Sequence, residues 1–120
     1  MNKRATIVIP AHNAANVIAA TVRSILDQIG PDDEIIVVDD GSQDDTARAV
    51  RAHFGDRLEL ISIPASGGPA RPRNEGLRRA SGRYLFLCDA DDPFLPGKID
   101  TVIATFEAHP DAGMVFTNFR

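Results

Sequence analysis

The chain has 120 residues, 43% of them hydrophobic and 25% charged, with a net charge of −4. That length suits one domain with one core, and the composition is that of an ordinary soluble globular protein. The acidic balance argues against a nucleic-acid or general polyanion binder, and no apolar run approaches the roughly 20 residues that a membrane-spanning helix needs.

Met1-Asn2-Lys3-Arg4 leads into the apolar stretch Ala5–Pro10, too short for a signal peptide and predicted as a first buried strand. A helical stripe follows, with Ile18, Val22, Ile25, Leu26 and Ile29 on one face and Gly30-Pro31 as its stop. Glu34–Asp39 is the second expected strand. Ala47, Val50 and Phe54 mark the second helix, with Ser42 or Asp44 as its N-cap. Leu58–Ile63 is the third strand. The third helix is expected to begin near Pro72 and to stop at Ser81-Gly82. Tyr84–Cys88 is the fourth strand, and a fourth helix from near Pro96 carries Ile99, Val102, Ile103 and Phe106 on one stripe. Gly113–Thr117 closes the series as a fifth strand. The strands are almost continuously apolar, as strands covered on both faces are. The pattern predicts a single α/β domain over residues 1–120, with a mostly parallel Rossmann-like sheet and helices on both faces. Cys88 is the only cysteine, which excludes an internal disulfide and a multi-cysteine zinc site; a reducing, cytoplasmic setting is expected. Inside an apolar strand, it is expected to be a buried, inert thiol.

In such sheets ligands bind at the carboxyl ends of the strands. Those ends read Pro10-Ala11-His12-Asn13, Asp39-Asp40-Gly41-Ser42, Pro64-Ala65-Ser66-Gly67-Gly68 and Asp89-Ala90-Asp91-Asp92. Two of the four are acidic. Like charges about 4 Å apart repel by about 4 kcal/mol at an effective dielectric near 20, and a divalent cation removes that cost. Oxygen ligands without paired His or Cys favour a hard ion, Mg2+ or Mn2+, which commonly takes one or two carboxylates and completes its shell with water and phosphate oxygens. If Asp89-Ala90-Asp91 stays extended, Asp89 and Asp91 face one site while Ala90 turns away. Asp44 and Asp45 are expected instead at a helix start, where the macrodipole favours carboxylates. Gly67 to Asn74 runs into a helix N-terminus and carries Arg71 and Arg73, either of which could meet a phosphate or pair with the aspartates. Arg78 and Arg79, further along, are expected to be solvated.

At these residues the chain resembles the family 2 glycosyltransferases, which have a GT-A nucleotide-binding fold. The resemblance runs through Ile7-Val8-Ile9-Pro10-Ala11-His12-Asn13, through Ile36 to Thr46 around Asp39-Asp40-Gly41-Ser42, through Gly67-Gly68 and Arg73-Asn74-Glu75-Gly76-Leu77, and through Leu87-Cys88-Asp89-Ala90-Asp91-Asp92. It implies that Asp40 accepts the ring N–H of a nucleotide base while Asp39 supports the turn. Pro10, His12 and Asn13 belong to the base end; His12 stands where the family often has an aromatic residue. Gly68, Arg73 and Asn74 help to close the site. Asp89, Ala90 and Asp91 form the Asp-x-Asp element, with Asp89 near the ribose or donor sugar and Asp91, together with Asp89, as metal ligand.

What the resemblance implies chemically is transfer of a sugar from a nucleoside diphosphate sugar, at the family level a UDP-sugar, to a saccharide or lipid-linked acceptor hydroxyl. Mn2+ or Mg2+ is the implied cofactor, and inversion the implied stereochemistry. Full catalytic domains of the family run on past the Asp-x-Asp element into an acceptor-binding region that carries the base. A nucleotide-sugar-binding portion is therefore expected here, with the base outside it. An exposed apolar patch is expected where a following segment would pack, with self-association into a homodimer as one consequence. A nucleotidyltransferase-like enzyme and a non-catalytic nucleotide-binding fragment are the competing readings. A dinucleotide-binding dehydrogenase would place Gly-x-Gly-x-x-Gly where this chain has Pro10 to Ala15.

Overall fold

The structure, a computed structural model, describes residues 2–115. Four strands and four helices alternate: β1 Lys3–Ala11, α1 Ile18–Leu26, β2 Asp33–Asp40, α2 Thr46–Phe54, β3 Glu59–Ile63, α3 Ala70–Arg79, β4 Gly82–Leu87 and α4 Lys98–Ala108. All pairings are parallel, in the order β3-β2-β1-β4, so β1 and β2 are the inner strands. This is the Rossmann-like α/β sheet that the alternation predicts.

Alternation of side chains along each strand divides the core between two faces. On one face Ala5, Ile7, Ile9 and Ala11 of β1 and Ile35 and Val37 of β2 pack with the buried stripes of α1, α2 and α4, including Ile18, Val22, Ile25, Val50, Phe54, Ile99 and Ile103. On the other face α3 lies across β1 and β2. Gly76 allows that approach: a Cβ there would fall inside contact distance of the Val8 side chain. A mid-helix glycine costs about 1 kcal/mol against alanine, and here it is tolerated because nothing larger fits. α3 leaves β4 uncovered on its side. Leu85 and Leu87 are 51% and 52% exposed there, an apolar surface of the kind expected from the sequence.

Several boundaries shift for local reasons. α1 stops at Leu26, and Ile29 reaches the core from the turn that follows. α3 starts at Ala70, two residues before Pro72; at the third helical position proline gives up only an N–H with no intrahelical partner. At the start of α2, Asp45 occupies the cap position without a side-chain bond, and Asp44 accepts the Thr46 N–H instead. Gly113 to Val115 of the expected fifth strand are not extended into the sheet, and Phe116 and Thr117 lie outside the described residues.

Candidate functional site

Parallel pairing brings the carboxyl ends of all four strands to one edge. There Pro10, Ala11, His12, Asp40, Ala65, Gly67, Gly68, Pro69, Pro72 and Asp89 line an open hollow of about 450 Å³. Pro10, His12, Asp40, Gly68 and Asp89 were expected at the site from the sequence. Asn13, Asp39, Arg73, Asn74, Ala90 and Asp91 are not among its lining residues.

Behind the hollow, the loops after β1 and β2 are tied together. The Asn13 backbone lies in the left-handed region at φ 50°, tolerable for asparagine, and its side chain accepts the Gln43 N–H at 2.8 Å. The Asn13 N–H in turn donates to Ser42 Oγ at 2.9 Å, and the Ala14 N–H donates to Thr46 Oγ1 at 2.9 Å. Asp44 accepts from Thr46 and from the Ala15 N–H. The Thr46 hydrogen bond, foremost among these, holds the Asp44 carboxyl below its ordinary value of 3.8. Asp39, 7% exposed, accepts the Ser42 N–H at 3.2 Å and so closes the turn after β2. His12 Nδ1 lies 2.7 Å from the Asp40 carbonyl oxygen. A carbonyl only accepts, so Nδ1 carries the proton and the ring is fixed on the wall of the hollow.

Asp40 itself is 5% exposed, and both its oxygens are engaged: the Ser66 N–H donates to Oδ1 at 3.0 Å and Ser66 Oγ to Oδ2 at 2.8 Å. Nothing in the sequence marks Ser66 for this role, because its partner stands 26 residues earlier on another strand.

The acidic end after β4 is different. Asp89-Ala90-Asp91 is not extended: the Asp92 N–H bonds the Asp89 carbonyl at 3.1 Å, folding the element into a turn. The same-side argument from extended geometry therefore does not apply, and of the two aspartates only Asp89 lines the hollow. Asp89 Oδ1 accepts from Arg73 at 3.0 Å, while Arg71 is exposed on the same helix. Of the two roles open to these arginines, Arg73 takes the pairing one in this structure; its Nε is buried with no partner among the described residues. Asn74, Asp91 and Asp92 are exposed. Arg78 and Arg79 pair with Glu75 and Glu59 away from the hollow.

α1 holds the backbone of the turn and of the segment after it. Thr21 Oγ1 donates to the Ala90 carbonyl at 2.7 Å, Ser24 Oγ accepts the Phe94 N–H at 2.9 Å, and Gln28 just past the helix bonds both Leu95 and Ile99. The apolar stripe that marks α1 in the sequence carries no signal for these polar residues. Cys88 Sγ lies 3.4 Å and 3.5 Å from the carbonyls of Asp89 and Asp92, and burial pushes its thiol up to about 12. It is a protonated support for the turn rather than a nucleophile.

The donor set at this turn fits a hard divalent cation. Asp89 and Asp91 offer oxygen ligands only, both are exposed and Asp89 lines the hollow, and one or two carboxylates suffice where water and phosphate oxygens complete the shell. Among the described residues no three His, Cys, Asp or Glu side chains converge into a closed metal cage, so such an ion would depend on its ligand for the rest. No helix of the described residues is long and apolar enough to cross a membrane.

The family model for Glycosyl transferase family 2 matches residues 6–120. The chain is 33% identical, over 82% of its length and 39% of the other's, to the Escherichia coli UDP-Glc:alpha-D-GlcNAc-diphosphoundecaprenol beta-1,3-glucosyltransferase WfgD. Among solved structures it is similar to S. aureus TarS 1-349 in complex with UDP-GlcNAc, with a TM-score of 0.79 and 25% identity over 96% of this chain and 37% of that one. It is also similar to the mannosyltransferase PcManGT of Pyrobaculum calidifontis, in complex with GDP-Man and Mn2+, with a TM-score of 0.75 and 28% identity over 88% of this chain and 33% of that one. Across three curated relatives the chain spans 38%, 30% and 39% of their lengths.

Proposed function

The chain belongs to glycosyl transferase family 2, and from that premise we propose that it supplies the donor side of sugar transfer, binding a nucleoside diphosphate sugar at the carboxyl edge of the sheet. The observation that carries this reading is the placement of two unlike acidic ends around β1. Asp40 ends β2 on one side, and Asp89 follows β4 on the other. Two strand spacings, about 10 Å, separate an acceptor set into the wall from an acidic turn open to solvent. A nucleoside diphosphate has its N–H donors at one end and its charge at the other, and it spans such a gap.

In this arrangement Asp40 accepts the ring N–H of the base, Pro10 and the anchored His12 ring face the base, and Asp39 holds the turn behind them. Gly68 allows close backbone approach. Asp89 and Asp91 would hold Mn2+ or Mg2+, which would offset charge developing on the departing diphosphate. Arg73, on α3, restrains Asp89. The donor is a UDP-sugar, in keeping with the UDP-sugars that WfgD and TarS name, and the acceptor is a saccharide or lipid-linked hydroxyl. The bond from the anomeric carbon to the diphosphate oxygen breaks as one to the acceptor oxygen forms, with inversion, and the acceptor proton passes to a base. No residue of this chain is assigned that last role.

Titration calorimetry with UDP, with Mn2+ or with chelator, tests the reading. Binding strengthened at least tenfold by Mn2+ in the parent chain, and not in Asp91→Ala, is expected. Equal affinity with and without metal would remove the metal from the site, and no binding of UDP or GDP would remove the donor site itself.

A further inference from the structure

We infer that Ser66 is a positioning residue that sets base specificity, by clamping the Asp40 carboxylate so that its remaining acceptor sites are held in one orientation towards the hollow. The inference rests on the donor-site reading above and deepens it. Asp40 is the buried carboxylate on the wall of that hollow. Its two oxygens have about four acceptor sites between them, and Ser66 occupies one on each, with its N–H on Oδ1 and its hydroxyl on Oδ2. The plane of the carboxylate is fixed by that two-point grip, and the acceptor capacity that remains is turned to the ligand.

Two further contacts hold Ser66 in place. Gly41, at φ 60°, packs against Ala65 so closely that a Cβ on Gly41 would overlap the Ala65 backbone, which presses the loop after β3 onto the end of β2. The Ser66 hydroxyl also lies 3.1 Å from the Gly68 carbonyl. A hydroxyl has one hydrogen, and the charged carboxylate is the stronger acceptor, so the hydrogen points to Asp40. The Gly68 carbonyl is the alternative partner; a Ser66 hydroxyl turned that way would release Asp40 Oδ2.

An acceptor fixed in this way discriminates by chemistry. Uracil, thymine and guanine carry a ring N–H on the pairing edge, whereas cytosine and adenine present a ring nitrogen lone pair there. Against the latter, the fixed acceptor meets a ring lone pair, and the exocyclic amine, the one donor on that edge, is displaced from the position the ring N–H would take. Nucleotides of the first class are the ligands this geometry takes.

The test compares UDP and CDP by titration calorimetry on the parent chain, Ser66→Ala and Ser66→Thr, with melting curves to check folding. UDP is expected to bind the parent chain at least about tenfold more tightly than CDP. Ser66→Ala should shrink that ratio by about tenfold, chiefly by weakening UDP, and Ser66→Thr, which keeps the hydroxyl, should restore it. If the alanine variant does not fold, Ser66→Cys keeps the volume with a weak donor and is expected to shrink the ratio in the same direction. A UDP preference unchanged in Ser66→Ala or Ser66→Cys would overturn the inference and leave the donor site standing. A parent chain that binds neither nucleotide would overturn the donor site, and the inference with it.

Discussion

The two acidic ends flanking β1 are built differently. At the end of β2, Asp39 and Asp40 are 7% and 5% exposed, and their carboxylates accept from Ser42 and Ser66. After β4, Asp89, Asp91 and Asp92 are exposed in a turn, with Arg73 as the one side-chain cation paired there among the described residues. A buried carboxylate must be satisfied by the protein, because desolvating it without partners costs several kcal/mol. An exposed one can wait for its partner. In the proposed function the first end is therefore the one preorganised for a neutral group of defined hydrogen-bond pattern, and the second the one left for a cation and an anion that satisfy each other.

That contrast is broken most severely at Gly41. Alanine there meets both a positive φ and the Ala65 backbone, and the two penalties together amount to about 3 kcal/mol. A melting point lowered by about 10 °C, with loss of UDP binding in whatever remains folded, is the expected outcome by thermal melting and calorimetry. A variant as stable as the parent would mean that the loop after β3 is not pressed onto β2, and the preorganised end would lose its physical basis.

Acid separates the two ends more gently. Asp44, which ties the loop after β1 to α2, has its carboxyl held below the ordinary 3.8 chiefly by its hydrogen bond with Thr46. A depressed folded value means that its contribution is fully present above the ordinary value and is lost as the pH falls through the folded one. The melting-point gap between the parent chain and Asp44→Asn should accordingly be constant from neutral pH down to about pH 5 and close below the ordinary value of 3.8. A gap that closed near neutral pH would assign the titration to another group.

How much of this was legible in the sequence follows the same division. The strands, the parallel sheet and the core stripes could be read because burial imposes a period, and the ends of β1, β2 and β4 could be located because apolar runs stop there. Asp40 and Asp89 stand out in sequence as polar residues just past such runs. Their partners do not. Ser66 to Asp40, Thr21 to Ala90 and Ser24 to Phe94 are contacts across 26, 69 and 70 residues, made by common polar side chains with no period of their own. The turn at Asp89 is illegible for a related reason. Extended geometry holds only as far as the strand: β4 ends at Leu87, and beyond it the Asp92 N–H bonds back to the Asp89 carbonyl.

The smallest change in stability, and the sharpest separation of the two ends, is expected at Asp91. The residue is exposed, close in sequence to Asp89 and Asp92, and among the described residues it makes no ion pair; Arg73 pairs with Asp89 instead. Removing its charge should leave stability within about 0.5 kcal/mol of the parent, or raise it slightly. Ligand linkage should then tell the variants apart. UDP with Mn2+ at a hundredfold its dissociation constant stabilises a binding-competent chain by about 2.7 kcal/mol, a rise of roughly 10 °C in melting point. The parent chain should show that rise and Asp91→Ala should lose most of it, while its melting point without ligand stays put. An Asp91→Ala chain that melted early without ligand would show that the turn is a structural element of the fold, and the distinction between an end built for the protein and an end left for the ligand would fall.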